Sequence, residues 1–220
     1  MPKVLKQMAK PRTVRKRERT RGEIVAAAEH LVAERGIDAL SIDEITEAAD
    51  VAKGTFYTHF NDKTELAEAI AHSIRNELEQ GVTSVNKGIV DAAVRMANGL
   101  STFFAFAITQ PVRARALVRL VPEIVDPAMP INEGIRGDVM LGSNTKRFWV
   151  ASIDAAVVAL LGMSVATVMR LTDQAHRVSQ PYVFAVHAVT TALVALGLKQ
   201  GEAGRLAQAA IEGRRRESKP

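Results

Sequence analysis

Between Ser41 and Glu65 the chain admits few backbones other than two short helices folded across a tight turn. Ser41 stands three residues before Glu44, and Asp62 three before Glu65. At that spacing the first side chain accepts an N–H of the opening helical turn, and the acid reaches back to the cap's own N–H. Thr20 and Glu23 repeat the pattern upstream, which places three helix starts within 65 residues. Ile42, Ile45 and Ala49 form the buried side of the first short helix, and Val51 plugs the turn behind it. Asp50 lies in the turn, where a residue tolerant of positive φ is needed. A second short helix is expected from Lys53 to Phe60, with Phe56 and Phe60 sharing the buried face. Gly54 and Thr58 then point almost opposite, about 200° away for 3.6 residues per turn, and Thr55 and Tyr57 flank them. Ahead of the pair, a helix over about 21–35 carries Ile24, Ala27, Ala28, Leu31 and Val32 on one stripe and stops at Gly36.

A helix with a bare glycine and two threonines outward has a low enough profile to enter the DNA major groove, which displays a different pattern for each base pair. Charge supports the same partner. Residues 1–21 hold nine lysines and arginines against Glu18 alone, so the net +5 of the chain is concentrated in this arm. A block so charged is expected to be disordered in isolation and to follow phosphates or enter the minor groove, with Arg19 and Arg21 the nearest to the folded head.

The run Val51-Ala52-Lys53-Gly54-Thr55-Phe56-Tyr57-Thr58-His59-Phe60, followed by Lys63, resembles the signature of the TetR family of bacterial transcriptional repressors. The resemblance covers about 20–66. It implies that Gly54, Thr55, Tyr57 and Thr58 face bases or the groove, and that Ser41, Lys53, His59 and Lys63 meet phosphates. Two positions depart from the family pattern. Ala52 stands where a hydroxyl residue usually caps the recognition helix, and Thr58 where an aromatic is frequent.

Beyond Asp62 the chain turns into a long apolar body with no convincing strand pattern, so an all-α fold is expected. Helices are expected at about 63–80, 89–108, 146–171 and 181–198, with a short one carrying Arg113, Arg115 and Arg119 on a solvated face. Residues 122–145, rich in proline and glycine, read as loops with at most short helices. Residues 200–213 read as a small extra helix. The domain limits that follow are 1–19 for a basic disordered arm and 20–66 for the helix-turn-helix head. An effector-binding and dimerisation domain spans 67–213, and 214–220 is a solvated polar tail.

The helices at 146–171 and 181–198 are apolar on nearly all sides. The uncharged stretch 155–169 is shorter than the ~20 residues a membrane span requires, so no membrane association is expected. Burial against both the subunit's own core and a second copy explains them better. Ala155, Ala159, Gly162, Ala188 and Ala192 would permit close approach, and by resemblance these two helices build a homodimer interface. Two recognition helices related by a two-fold axis read a palindromic operator of double-stranded DNA. Phe103, Phe104, Met140, Trp149, Met163 and His187 are candidates to line an effector cavity, although plain core is the commoner role for each.

The sequence has no cysteine, no His-Glu-x-x-His or Glu-x-x-His motif and no glycine-rich phosphate loop, which argues against catalysis. Glu68 and His72 share a face without a third ligand, so no metal is expected, and no cofactor. No signal-peptide pattern opens the chain, and the cytoplasm is the expected location. The function implied is a dimeric repressor released from its operator by a small, mainly apolar effector bound within about 85–187. Rival readings are an activator, an effector-independent architectural protein and, more remotely, a helical-bundle carrier or enzyme.

Overall fold

A computed structural model describes residues 12–120 and 132–217, with side chains from Lys16 onward. Ten helices and no strands occur among the described residues. The head is built from α1 (Arg12–Arg35), α2 (Ile42–Ala48) and α3 (Lys53–Tyr57). The body comprises α4 (Lys63–Val85), α5 (Ala92–Thr109), α6 (Pro111–Leu120), α7 (Glu133–Asn144), α8 (Ile153–Leu171), α9 (Pro181–Ala195) and α10 (Gln200–Glu217).

Local chemistry sets the head's corners much as the sequence suggests. Gly36 ends α1 with φ 79°, and Asp50 takes φ 51° in the turn between α2 and α3. Ser41 and Glu44 form a complete capping box at α2. Asp62 caps α4 through the N–H of Glu65, but the Glu65 carboxylate bonds the backbone N–H and side-chain amide of Asn61 instead of the cap. Ile24, Ala28, Val32, Ile45, Phe56, Phe60, Leu66 and Ile70 are buried together, which fastens α1, α2 and α3 to the start of α4.

Several expectations need correction. No helix starts at Thr20: α1 already runs from Arg12, so 12–19 is helix, while 1–11 lie outside the described residues. The charged residues of this segment are good helix formers, Arg19 pairs with Glu23 at 3.4 Å, and Arg17 Nη2 donates to the Thr58 carbonyl at 3.2 Å. The first contact supports the helix itself, and the second holds its added turns against α3. Helix α3 closes at Tyr57, with residues 58 and 59 in a turn. There the Thr58 hydroxyl donates to the Thr55 carbonyl at 2.7 Å, which competes with helix continuation.

Residues 133–144 form helix α7 despite three glycines, because Gly142 is a close approach and not a breaker. A Cβ there would lie 2.0 Å from the Phe148 ring. Helix α8 begins at Ile153, capped by Ser152, after a turn in which Lys146 takes φ 56°. At the other end α10 continues to Glu217, so 214–217 are helical, while Arg215, Arg216 and Glu217 stay exposed as expected of a solvated segment. Arg214 pairs with Glu217 at 2.7 Å and Arg215 lies over the Tyr182 ring at 5.5 Å.

In the body α5 is central, packing on α4, α6, α7, α8, α9 and α10. The head meets the body chiefly where α1 lies along α6. Helix α8, 19 residues at mean hydropathy 1.7, is long and apolar enough to cross a membrane, which corrects the length argument made from the sequence. One face of it packs on α5, α6, α7 and α9.

Candidate nucleic-acid interface and internal cavity

Helix α3 sorts its side chains by chemistry. Phe56 and Phe60 are fully buried, their ring centroids 5.7 Å apart. On the other side Lys53, Gly54, Tyr57 and Thr58 are exposed, and Thr55 is half-buried. A Cβ on Gly54 would meet nothing within 4 Å, so the helix presents bare backbone there. Tyr57 is 51% exposed, its ring standing edge-on to Phe56 at 5.5 Å. The buried ring thus braces a phenol whose hydroxyl reaches outward.

The basic groups around α3 have distinct situations. Lys53 pairs with Asp43 of α2 at 2.8 Å, and this hydrogen bond raises its pKa above the ordinary lysine value. Arg21 lies over the Phe60 ring at 4.8 Å, while Arg17 and Arg19 make the contacts given above. His59 is half-buried, and its pKa is lowered first by burial and then by the nearby charges of Arg17 and Arg21. These four cations and the histidine border the outward face of α3 and the first turns of α1. An array of this sign beside a protruding polar helix suits a polyanion with a groove.

Two residues expected at phosphates make hydrogen bonds within the head. Lys63 Nζ donates to the carbonyls of Ile37, Asp38 and Leu40 at 3.3, 3.1 and 3.0 Å, which takes up all three ammonium hydrogens. Ser41 Oγ accepts from Glu44 N and donates to the Glu44 carboxylate at 2.8 Å. The backbone bond from Ser41, then the Arg35 guanidinium, lowers the Glu44 pKa to about 2. The Ser41 hydroxyl is therefore committed to its cap. Missing from the sequence reading is Arg17, whose tie to Thr58 spans 41 residues and leaves no local pattern.

Within the body, α4, α5, α6, α7 and α8 line a partly open cavity of ≈ 910 Å³. Leu78, Val82, Met96, Leu100, Phe103 and Leu161 give it apolar walls. Of the six residues proposed for a pocket, only Phe103 lines it. Phe104 is buried in the core on the other side of α5, and Met163 packs against that core. Met140, Trp149 and His187 are exposed, Trp149 at 74%, because the outer side of α7, the loop before α8 and the outer side of α9 carry them away from the centre. The cavity also has a polar end that the sequence reading missed. Arg95 and Asp138 pair there at 2.6 Å, and Asn86 bonds Asn98 and the Arg95 carbonyl. Arg95 is the single charge on α5, which is the one local sign of this site.

The outward sides of α8 and α9 are apolar. On α8, Ala155, Val158, Ala159, Gly162, Ala166 and Met169 are exposed at spacings of three and four. On α9 the exposed positions are Val183, His187, Thr191, Val194 and Ala195. Ala188 is half-buried, and Ala192, at 2%, belongs to the subunit's own core and not to this face. Among the described residues no group of histidines and acids has the arrangement of a metal site.

Residues 24–70, from the core of α1 to the first turns of α4, match the family of bacterial regulatory proteins known as tetR. The head is thus similar to the DNA-binding domain of the TetR family. Among curated relatives, the HTH-type transcriptional activator FasR of Mycolicibacterium smegmatis is 32% identical over 90 residues, 41% of each chain. The HTH-type transcriptional regulator TtgR of Pseudomonas putida is 38% identical over 63 residues, 29% of this chain and 30% of its own. Both matches span less than half of the relative's length. Solved TetR-family structures extend the likeness to the body. RolR in complex with resorcinol superposes with a TM-score of 0.58 at 27% identity, over 88% of this chain and 95% of that one. A gamma-butyrolactone receptor superposes with a TM-score of 0.68 over 90% and 99%, and at 19% identity it shares the fold alone. The relatives and neighbours are regulators and receptors, not enzymes.

Proposed function

We propose that this TetR-like chain is a homodimeric DNA-binding transcriptional regulator, acting as a repressor that a small, mainly apolar effector releases from a palindromic operator. The observation that carries the DNA reading is the two-sided α3, with Phe56 and Phe60 sealed below and Lys53, Gly54, Tyr57 and Thr58 open above. Tyr57 and Thr58 read base edges, the bare flank at Gly54 allows depth, and Lys53, Arg19 and the preceding basic segment meet phosphates. The dimer places two such helices on successive half-sites.

The cavity between α4 and α8 is the effector site. The volume suits a small molecule, and both α4 and α6 connect its walls to the head. An effector favouring the state with wrongly spaced heads by about 2–3 kcal/mol would shift operator occupancy tenfold or more. A cytoplasmic location goes with this activity. The likeness to the activator FasR keeps a second reading in play, in which the bound protein recruits transcription instead of blocking it. A reporter placed behind the selected operator separates the two signs.

The test is enrichment of random duplexes on the purified chain, followed by anisotropy titration of the selected site. Tyr57→Ala should weaken the selected site by about tenfold or more, in line with 1–3 kcal/mol per base contact, and leave random duplex binding nearly unchanged. Enrichment of no sequence would defeat the regulator reading.

A further inference from the structure

The polar end of the cavity narrows the chemistry of its occupant, given that the cavity is the effector site. Asp138 is 8% exposed and faces the cavity from α7. Its Oδ1 accepts from Arg95 Nε at 2.6 Å, while Oδ2 has no hydrogen-bond partner among the described residues. Arg95 in turn spends Nη1 on the Ile89 carbonyl at 3.4 Å, and its Nη2 has no partner among the described residues. One free acceptor on a largely buried carboxylate and one free donor on a half-buried guanidinium therefore stand side by side above the apolar surface of Met96, Leu100 and Phe103.

We propose that the cavity binds a neutral molecule with an apolar body and a hydroxyl group, the hydroxyl donating to Asp138 Oδ2 and accepting from Arg95. A hydroxyl is the smallest group that does both at once. An ether or ketone accepts from Arg95 but strips water from Asp138 without replacing it, which a buried carboxylate tolerates poorly. A carboxylate ligand brings a second negative charge against Asp138, and an amine brings a positive charge against Arg95. The ion pair itself is already neutral, and of the other charges lining the cavity Arg75 and Lys87 are balanced by Glu79 and Glu133, so neither kind of charge is called for. Resorcinol, the ligand carried by the RolR structure, belongs to the hydroxylated class.

Calorimetric titration of the full chain with 4-butylphenol, 4-butylanisole and 4-butylbenzoate tests this assignment. The phenol should bind at least about tenfold more tightly than either analogue, since the three differ only at the polar end. Gly99→Phe supplies the control. Gly99 lines the cavity, and a Cβ added there would have Val82 Cγ1 as its nearest neighbour at 3.8 Å, so a ring at this position fills the space. It should abolish phenol binding while helicity stays unchanged. Asp138→Ala should erase the preference for phenol over anisole; if this variant fails to fold, the three-ligand comparison on the unaltered chain decides.

Equal or tighter binding of the anisole or benzoate, blocked by Gly99→Phe, overturns the hydroxyl assignment and leaves the effector cavity standing. Phenol binding that survives Gly99→Phe overturns the cavity reading itself. Absence of phenol binding overturns the proposal.

Discussion

Lys63 illustrates how a residue's family place and its actual bonds diverge. A cation in the first turn of a helix faces the positive end of the macrodipole, which by itself suggests an external anion. Here three carbonyls from the α1–α2 connection, those of Ile37, Asp38 and Leu40, supply the compensation from within. Replacing Lys63 with Met should therefore lower head stability by roughly 1–3 kcal/mol, the worth of hydrogen bonds to a charged group. The slope of DNA affinity against salt should stay the same, because no phosphate contact is lost. Urea denaturation and anisotropy at several salt concentrations measure the two quantities, and a slope reduced by one phosphate with stability intact would refute the structural role. The sequence displays Lys63 as one more exposed cation. Its carbonyl partners lie 23 to 26 residues away and are backbone groups, which carry no residue signature.

At the scale of elements, α6 is the piece that joins the cavity to the head. Leu117 lines the cavity, and Arg113, four residues earlier and so on the same side, reaches the head. Arg113 bonds Glu29 of α1 at 3.3 Å and Glu77 of α4 at 2.5 Å, and lies over Phe106 of α5 at 5.6 Å. Its side chain is only 23% exposed, which corrects its reading as part of a solvated face. Glu77 responds accordingly: burial opposes its charge, yet the bonds from Arg113 and Gln110 hold its pKa below the ordinary value. Arg113→Met should loosen α1 from the body by about 1–3 kcal/mol, visible as faster amide exchange in α1 with α9 unchanged. Uniform exchange across both helices would dismiss α6 as the joint. Helices with one apolar stripe, such as α1, are legible in the sequence because periodicity is local. The Arg113 contact to Glu29 spans 84 residues, and no spacing rule reaches that far. Helix α7 is illegible for the opposite reason: its Gly142 serves packing against Phe148, while sequence rules read glycine as a breaker.

For the whole molecule, the apolar outward side of α8 and α9 calls for a cover. Two exposed apolar regions compete for the role of dimer seam. Met140, Leu141 and Trp149 form one near the loop before α8, and Val158, Met169, Val183 and Val194 mark the other. The second is the better interface on physical grounds. It lies on two regular helices, its small residues Ala155, Ala159 and Gly162 let backbones approach, and nothing obstructs a side chain at Gly162. Two such faces brought together by a two-fold axis would bury the same residues on each subunit. Ala159→Arg, placing a long charged group at the centre of that face, should turn the dimer into a monomer by sedimentation equilibrium. Affinity for a palindromic site should then fall by about tenfold or more, as half-site binding loses its linked partner. Met140→Arg, at the rival patch, should alter neither mass nor affinity. If Met140→Arg dissociates the assembly and Ala159→Arg does not, the α8–α9 face is not the dimer seam, and the spacing of the two α3 helices must be set from the loop side of the body.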